Sequence, residues 1–122
     1  MKHSPCVLVL VTVQKECGRL IRHGKALADE HGWPLHVLHV ATGKNLLGNP
    51  DAAAALNHLF SLAHEVDGEM NILYESNASA AIARYAREHH AQAVVTGPDK
   101  SGFSSTLKAL LPEQTQLICL EE

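Results

Sequence analysis

Between Ala93 and Thr106 the sequence reads AVVTGPDKSGFSST, which sets small residues, a lysine and hydroxyls in an order that suits anions. Ala93–Thr96 predicts a short buried strand, Gly97–Phe103 a glycine-containing loop, and Ser104 onward a helix. A chain that leaves a parallel strand and enters a helix has free backbone N–H groups at the turn, and such a place suits phosphate. Gly97 can take a positive φ and lets a ligand approach closely, and Gly102 offers a second such point. Lys100 can neutralise phosphate, as can Lys15 after the first strand. Ser104 and Ser105 can cap the helix and present hydroxyl and N–H donors. The same strand–glycine–loop–helix unit also occurs where nothing binds; there the glycine turns the chain, the serine caps and the lysines are solvated.

Other chemistries have weaker support. The first apolar strand is not followed by GxGxxG, and the chain holds no GxxxxGK[ST], which argues against a Rossmann dinucleotide site and a P-loop NTPase. No GxSxG elbow occurs. Asp99 is the only acid in the predicted crevice apart from Glu16 at its edge, whereas a paired-carboxylate mechanism needs two held together. The expectation is therefore a binding domain and not an enzyme. The nine histidines are spread along the chain with no HExxH, so no metal site is expected. His36 and His39 are three apart on a strand and should point to opposite faces. His89 and His90 close a helix, where imidazole complements the dipole. Of the three cysteines, Cys6 and Cys119 lie in apolar runs and read as small packed hydrophobes, and Cys17 as an ordinary position near a helix start.

The elements that must position these residues alternate. Cys6–Val13, CVLVLVTV, is β-branched and continuously apolar, as in a strand covered on both faces. Leu20, Ile21, Gly24, Leu27 and Ala28 recur at helical spacing, with Gly32 ending that helix and Pro34 preventing its resumption. Leu35–Val40 is the second strand and Ala41–Asn49 a loop. Pro50–Asp51 starts a helix with Asp51 as its N-cap, a buried stripe of Ala55, Leu56, Leu59, Phe60 and Ala63, and Gly68 at its end. Glu69–Tyr74 is the third strand. Ser76 or Asn77 caps a helix whose inner face is Ala78, Ile82, Tyr85 and Ala86. Ala93–Thr96 follows, then a helix over Ser104–Leu111 stopped by Pro112, then a last strand over Thr115–Leu120.

Such alternation predicts one α/β domain over residues 1–122, a doubly wound parallel sheet with right-handed crossovers. With strand order 3-2-1-4-5 the ligand crevice opens between the C-terminal ends of strands 1 and 4. Three segments then converge: Thr12–Lys15 (Thr12, Val13, Gln14, Lys15), His39–Thr42 and Gly97–Ser105. Val40 and Ala41 offer an apolar bed for a flat base, and His39 can stack or hydrogen-bond there, or simply pack.

A net charge of −3 with scattered charges gives no basic patch for nucleic acid. Met1–Pro5 lacks the apolar core of a signal peptide, and no run approaches the ~20 apolar residues of a membrane span. A soluble cytoplasmic protein is expected.

Val7–Val13 followed by a helix, then PLHVLHV, NASAAIARYAREHHAQAVVTG and SSTLKALLPEQTQLICL, resembles the universal stress protein family in segment order over most of the chain. VTVQKECGRLIRHGKALA is more like the universal-stress domain of KdpD-type sensor histidine kinases, here standing alone. The resemblance implies an adenine-nucleotide-binding, Rossmann-like five-stranded sandwich of order 3-2-1-4-5, with ATP or AMP as ligand. It also implies a non-catalytic role in stress or potassium/osmotic signalling, a signalling protein as partner, and a homodimer through Thr115–Leu120, an otherwise unprotected edge. ATP-binding members carry G-x2-G-x9-G-[ST]. Gly97 matches the first glycine, Lys100 stands at the second, Ser104 at the third, and Ser105 matches the Ser/Thr. The loop is shorter by about six residues. The acidic position after the first strand is Thr12. A shorter loop has fewer N–H groups for a triphosphate, which moves the expectation towards AMP or a cyclic dinucleotide. The alternative is a dimeric interaction module of the same fold that has lost nucleotide binding.

Overall fold

The computed structural model describes residues 5–11, 18–41, 50–97 and 103–120. Strands and helices alternate without exception: β1 (Cys6–Leu10), α1 (Gly18–His31), β2 (Leu35–Ala41), α2 (Pro50–Glu65), β3 (Glu69–Tyr74), α3 (Ala78–Glu88), β4 (Ala91–Thr96), α4 (Phe103–Leu110) and β5 (Gln116–Cys119). The five strands form one parallel sheet in the order β3-β2-β1-β4-β5, as expected. The winding therefore reverses between β1 and β4.

β1 is central, and every residue of it is buried. Its alternate side chains feed two cores. Cys6, Leu8 and Leu10 pack with Ile82, Ala83, Tyr85 and Ala86 of α3 and Leu107 of α4. Val7, Val9 and Val11 pack with Leu20, Ile21 and Ala28 of α1 and Leu59 and Ala63 of α2. A strand apolar on both faces is thus covered by a helical layer on each side. Gly24 lets α1 lie close on the sheet: a Cβ there would come nearer to Val9 Cγ2 than the 3.0 Å that real Cβ atoms respect.

Strand ends differ from the sequence expectation in informative ways. β1 covers Cys6–Leu10 and the Val11 N–H still bonds Leu38 O at 3.0 Å, whereas Thr12 and Val13 of the expected strand lie outside the described residues. β4 begins at Ala91, two residues early, because Cys6 pairs with Ala91 and Val7 with Ala93, so that Gln92 is the extra residue of a bulge. β5 is shorter than Thr115–Leu120, but both flanking residues are tied down. Thr115 Oγ1 donates to Ala91 O at 2.8 Å and the Leu120 N–H to Thr96 O at 2.8 Å.

Three helices end on a residue in the left-handed region: Gly32 (φ 70°), Asp67 (φ 56°) and His90 (φ 56°). Gly32 behaves as expected. For α2 the left-handed residue is Asp67, and the Gly68 N–H closes the motif by bonding Ala63 O at 2.7 Å. α2 also begins at Pro50, so Asp51 lies inside the helix and does not cap it; Pro suits the first helical position, where its missing N–H costs nothing. Asn77 does cap α3, accepting from the Ala80 N–H at 3.1 Å. Leu59 and Ala63 of the expected stripe of α2 are buried but Phe60 is 45% exposed, and the side chains of Ala55 and Leu56 lie outside those described. Cys6 is buried as expected, but Cys119, on an edge strand, is exposed. Cys17 lies outside the described residues.

Candidate functional site

The reversal of winding leaves α1 and α2 on one face and α3 and α4 on the other, so a crevice opens where β1 and β4 end. Of the expected segments the structure describes only parts. Val11 follows β1, His39 and Val40 close β2, Gly97 follows β4, and Ser105 lies in the first turn of α4. Thr12, Val13, Gln14, Lys15, Lys100 and Gly102 lie outside the described residues, as does the side chain of Ser104.

His39 is buried, 7% exposed, and its Nδ1 lies 3.0 Å from Val11 O. A carbonyl can only accept, so Nδ1 carries the proton. Just past β1, the Val11 carbonyl is thus bonded by a side chain. His39 and Val40 take opposite faces. His39 follows the alternation of Leu35 and Val37, which belong to the α1/α2 core, whereas Val40 packs on the α3/α4 core. They therefore cannot bed one base from the same side.

Gly97 is half-buried and does not adopt a positive φ. A Cβ there would make ordinary contact with Leu20 Cδ1 at 3.7 Å. The turn itself does not require glycine, and Gly97 brings the end of β4 beside α1. α4 begins at Phe103, one residue earlier than expected, so Ser104 and Ser105 are inside the first turn and not N-caps. Their backbone N–H groups belong to the set that no helix carbonyl can satisfy, and these can face an anion. Ser105 is exposed.

The titratable groups with perturbed behaviour gather at the other end of the sheet. His36, near the start of β2, lies with Nδ1 2.7 Å from Tyr85 Oη. The Asn71 amide donates to Tyr85 Oη at 2.8 Å and to Glu69 Oε2 at 3.0 Å. With Tyr85 Oη accepting from Asn71, its own proton is free to go to His36 Nδ1. Glu69 Oε2 is 3.8 Å from that nitrogen. His89 stacks on Tyr85 with ring centroids 4.0 Å apart. Burial lowers the His36 pKa despite the Glu69 carboxylate, and burial followed by Glu69 raises that of Tyr85. The Cys6 thiol is pushed up to about 11 by burial and then by Glu69. No spacing rule connects these residues, which come from four elements, so sequence reasoning missed the network. Among the described residues no group of three His, Cys, Asp or Glu side chains is arranged to hold a metal. No described helix is long and apolar enough to cross a membrane.

No protein-family model matches the chain, and neither does any curated protein. Solved structures do match. The chain is similar to the universal stress protein from Archaeoglobus fulgidus in complex with dAMP, at 20% identity and a TM-score of 0.74 over 97% of this chain and 98% of that one. It is similar to a universal stress protein in complex with cAMP at 14% identity and a TM-score of 0.72 over 98% of each chain. Universal stress protein UspA from Lactobacillus plantarum matches at 17% identity and a TM-score of 0.73 over 98% of this chain and 99% of that one. At such identities the likeness is one of fold: a five-stranded, Rossmann-like parallel sandwich.

Proposed function

We propose that this domain of universal stress fold is an adenine-nucleotide-binding, non-catalytic cytoplasmic module of stress or potassium/osmotic signalling. The observation that carries the reading is the crevice at the reversal of winding. The fold that forms it is shared over nearly the whole chain with solved universal stress proteins, two of which are complexes with dAMP and cAMP. In this reading Gly97, Lys100, Gly102, Ser104 and Ser105 hold phosphate, Thr12–Lys15 form the opposite wall, and the end of β2 beds the base on one of its two faces, that of His39 or that of Val40. ATP or AMP is the ligand, with a cyclic dinucleotide as the alternative that a shortened loop favours. The sequence resemblance of VTVQKECGRLIRHGKALA to the KdpD-type domain is what supports the potassium/osmotic assignment and a signalling protein as partner.

Calorimetric titration of nucleotide-stripped protein with ATP, AMP and cyclic di-AMP tests it. Micromolar binding of one of them should disappear in Gly97→Val combined with Ser105→Ala, with the fold intact by circular dichroism. Unchanged affinity in that variant would place the site elsewhere. Neither heat nor a thermal shift at about 1 mM ligand would leave the second reading, a protein-interaction module.

The second reading draws on β5, which pairs with β4 on one side only among the described residues. A second copy of the chain can complete that edge. The Leu120 N–H points to β4, so strand alternation turns the Cys119 N–H outwards. Cys119→Pro removes that donor and should convert a dimer, measured by sedimentation, into a monomer.

A further inference from the structure

His36 of β2, Tyr85 of α3 and Asn71 and Glu69 of β3 form a chain of hydrogen-bonding side chains that can run in either of two directions. The Asn71 amide gives one proton to Glu69 Oε2 at 3.0 Å and the other to Tyr85 Oη at 2.8 Å. The Tyr85 hydroxyl passes its own proton to His36 Nδ1 at 2.7 Å. A neutral ring that accepts at Nδ1 carries its proton on Nε2. Once the ring is charged both nitrogens donate, and Nδ1 then faces an oxygen that already receives Asn71. Turning the Asn71 amide over relieves the conflict: His36 donates to Tyr85 Oη, and Tyr85 donates to Asn71 Oδ1. Glu69 loses the amide that held it, and its Oε2 already lies 3.8 Å from Nδ1, where it can pair with the imidazolium.

We infer that this chain is a proton-operated switch, in which the charge on His36 sets the direction of the hydrogen bonds and decides whether Glu69 is held by Asn71 or by the imidazolium. Glu69 and Asn71 both belong to β3, which among the described residues pairs only with β2, and the Glu69 side chain is 62% exposed. A proton taken up beside α3 therefore changes the pairing of a carboxylate displayed on an edge of the sheet. The inference stands apart from nucleotide binding. The titratable groups that face the ring come from three elements. Glu69 of β3 favours its charged form, whereas His89 of α3, with its ring centroid 5.1 Å away, opposes it. Burial and Glu69 raise the Tyr85 pKa, so the hydroxyl keeps its proton in both states. Cys6 of β1 acts on Tyr85 and is itself kept neutral by burial. Burial of His36 is the largest influence and holds its transition below 6.5, so the switch works in acid and rests at neutral pH.

The test is an NMR titration of the whole chain labelled with 15N and 13C, which reads the His36 ring nitrogens, the Asn71 side-chain amide and the Glu69 carboxyl carbon separately. At neutral pH the His36 ring should carry its proton on Nε2. On acidification the Asn71 amide and the Glu69 carboxyl carbon should shift with the midpoint of His36, below 6.5. Tyr85→Phe removes the relay, so the Asn71 amide should lose most of that shift. Glu69→Gln removes the favouring charge and should lower the His36 midpoint. The wild-type titration decides even where a variant does not fold. A neutral ring protonated on Nδ1, an Asn71 amide that ignores the His36 midpoint, or one that shifts as far in Tyr85→Phe overturns the switch. So does a protein that unfolds before His36 titrates. A midpoint that Glu69→Gln leaves unchanged overturns the transfer of Glu69.

Discussion

Gly24→Ala should destabilise the domain although alanine is the better helix former. A Cβ at position 24 falls within the 3.0 Å limit of Val9 Cγ2 and 3.2 Å from Leu35 Cδ1. Val9 is fully buried in the middle of the central strand and Leu35 is buried beside it, so neither can swing away. Overpacking of this kind costs about 1–3 kcal/mol, and the upper end applies because the strand backbone has to move. Replacing glycine inside a helix returns about 1 kcal/mol. The net loss should be about 2 kcal/mol. Equilibrium urea unfolding, with the slope unchanged, measures it. Val9→Ala alone should also destabilise, by leaving a cavity where two methyls were. In the double variant the alanine methyl at 24 enters the space left by Val9, so the two losses should fall short of adding by about 2 kcal/mol. A Gly24→Ala protein as stable as wild type, or strictly additive losses, would refute the close approach of α1 to β1.

Three further outcomes follow from the polar network and the thiols. Burial sets the folded-state pKa of His36 below its ordinary 6.5, with His89 adding to the lowering and Glu69 opposing it. The unfolded chain then takes the proton more readily, so stability is complete above 6.5 and falls as pH drops through the folded-state value. Urea midpoints at descending pH should show this fall, and a flatter profile in His36→Gln would assign it. Tyr85→Phe removes the hydroxyl that joins Asn71 to His36 and should cost about 1–2 kcal/mol by the same assay; no loss would mean the bridge contributes nothing. Cys119 is exposed and Cys6 is buried with its thiol pushed up to about 11, so brief alkylation at neutral pH should label the peptide of Cys119 and spare that of Cys6 by mass spectrometry. Early labelling of Cys6 would contradict the packing around it.

Sequence reading recovered the features that rest on short-range pattern. The apolar run from Cys6 predicts a doubly covered central strand because no polar residue marks a solvent face. Gly32 and Asn77 reveal helix ends through backbone chemistry that only a few residue types supply. What escaped depends on contacts between elements. Phe60 fits the helical period of Leu59 and Ala63, but periodicity does not say how far around a helix its neighbours reach, and Phe60 is exposed. Asp67 and His90 take the left-handed conformation, which aspartate and histidine enter more readily than most side chains but which their identity alone does not dictate. The reversal of winding between β1 and β4, where the candidate site is put, was legible because the alternation of elements predicts the strand order. The tautomer of His39 was not, because it follows from the acceptor that the end of another strand presents.

The two-faced burial of β1 has a consequence for folding. A strand that is polar on one side is held in register by its pattern, since a slip of one residue would put polar groups in the core. β1 has no such safeguard: a slip would exchange Val7, Val9 and Val11 for Cys6, Leu8 and Leu10, apolar for apolar. Shape must discriminate instead. The notch at Gly24 receives the γ-methyl of Val9, and a slipped strand would present a leucine to it. The bulge at Gln92 fixes the opposite side by pairing two residues of β4 against one step of β1. A missing side chain on a helix and an extra residue on a strand thus act as key and lock for the one alignment that hydrophobicity alone leaves open.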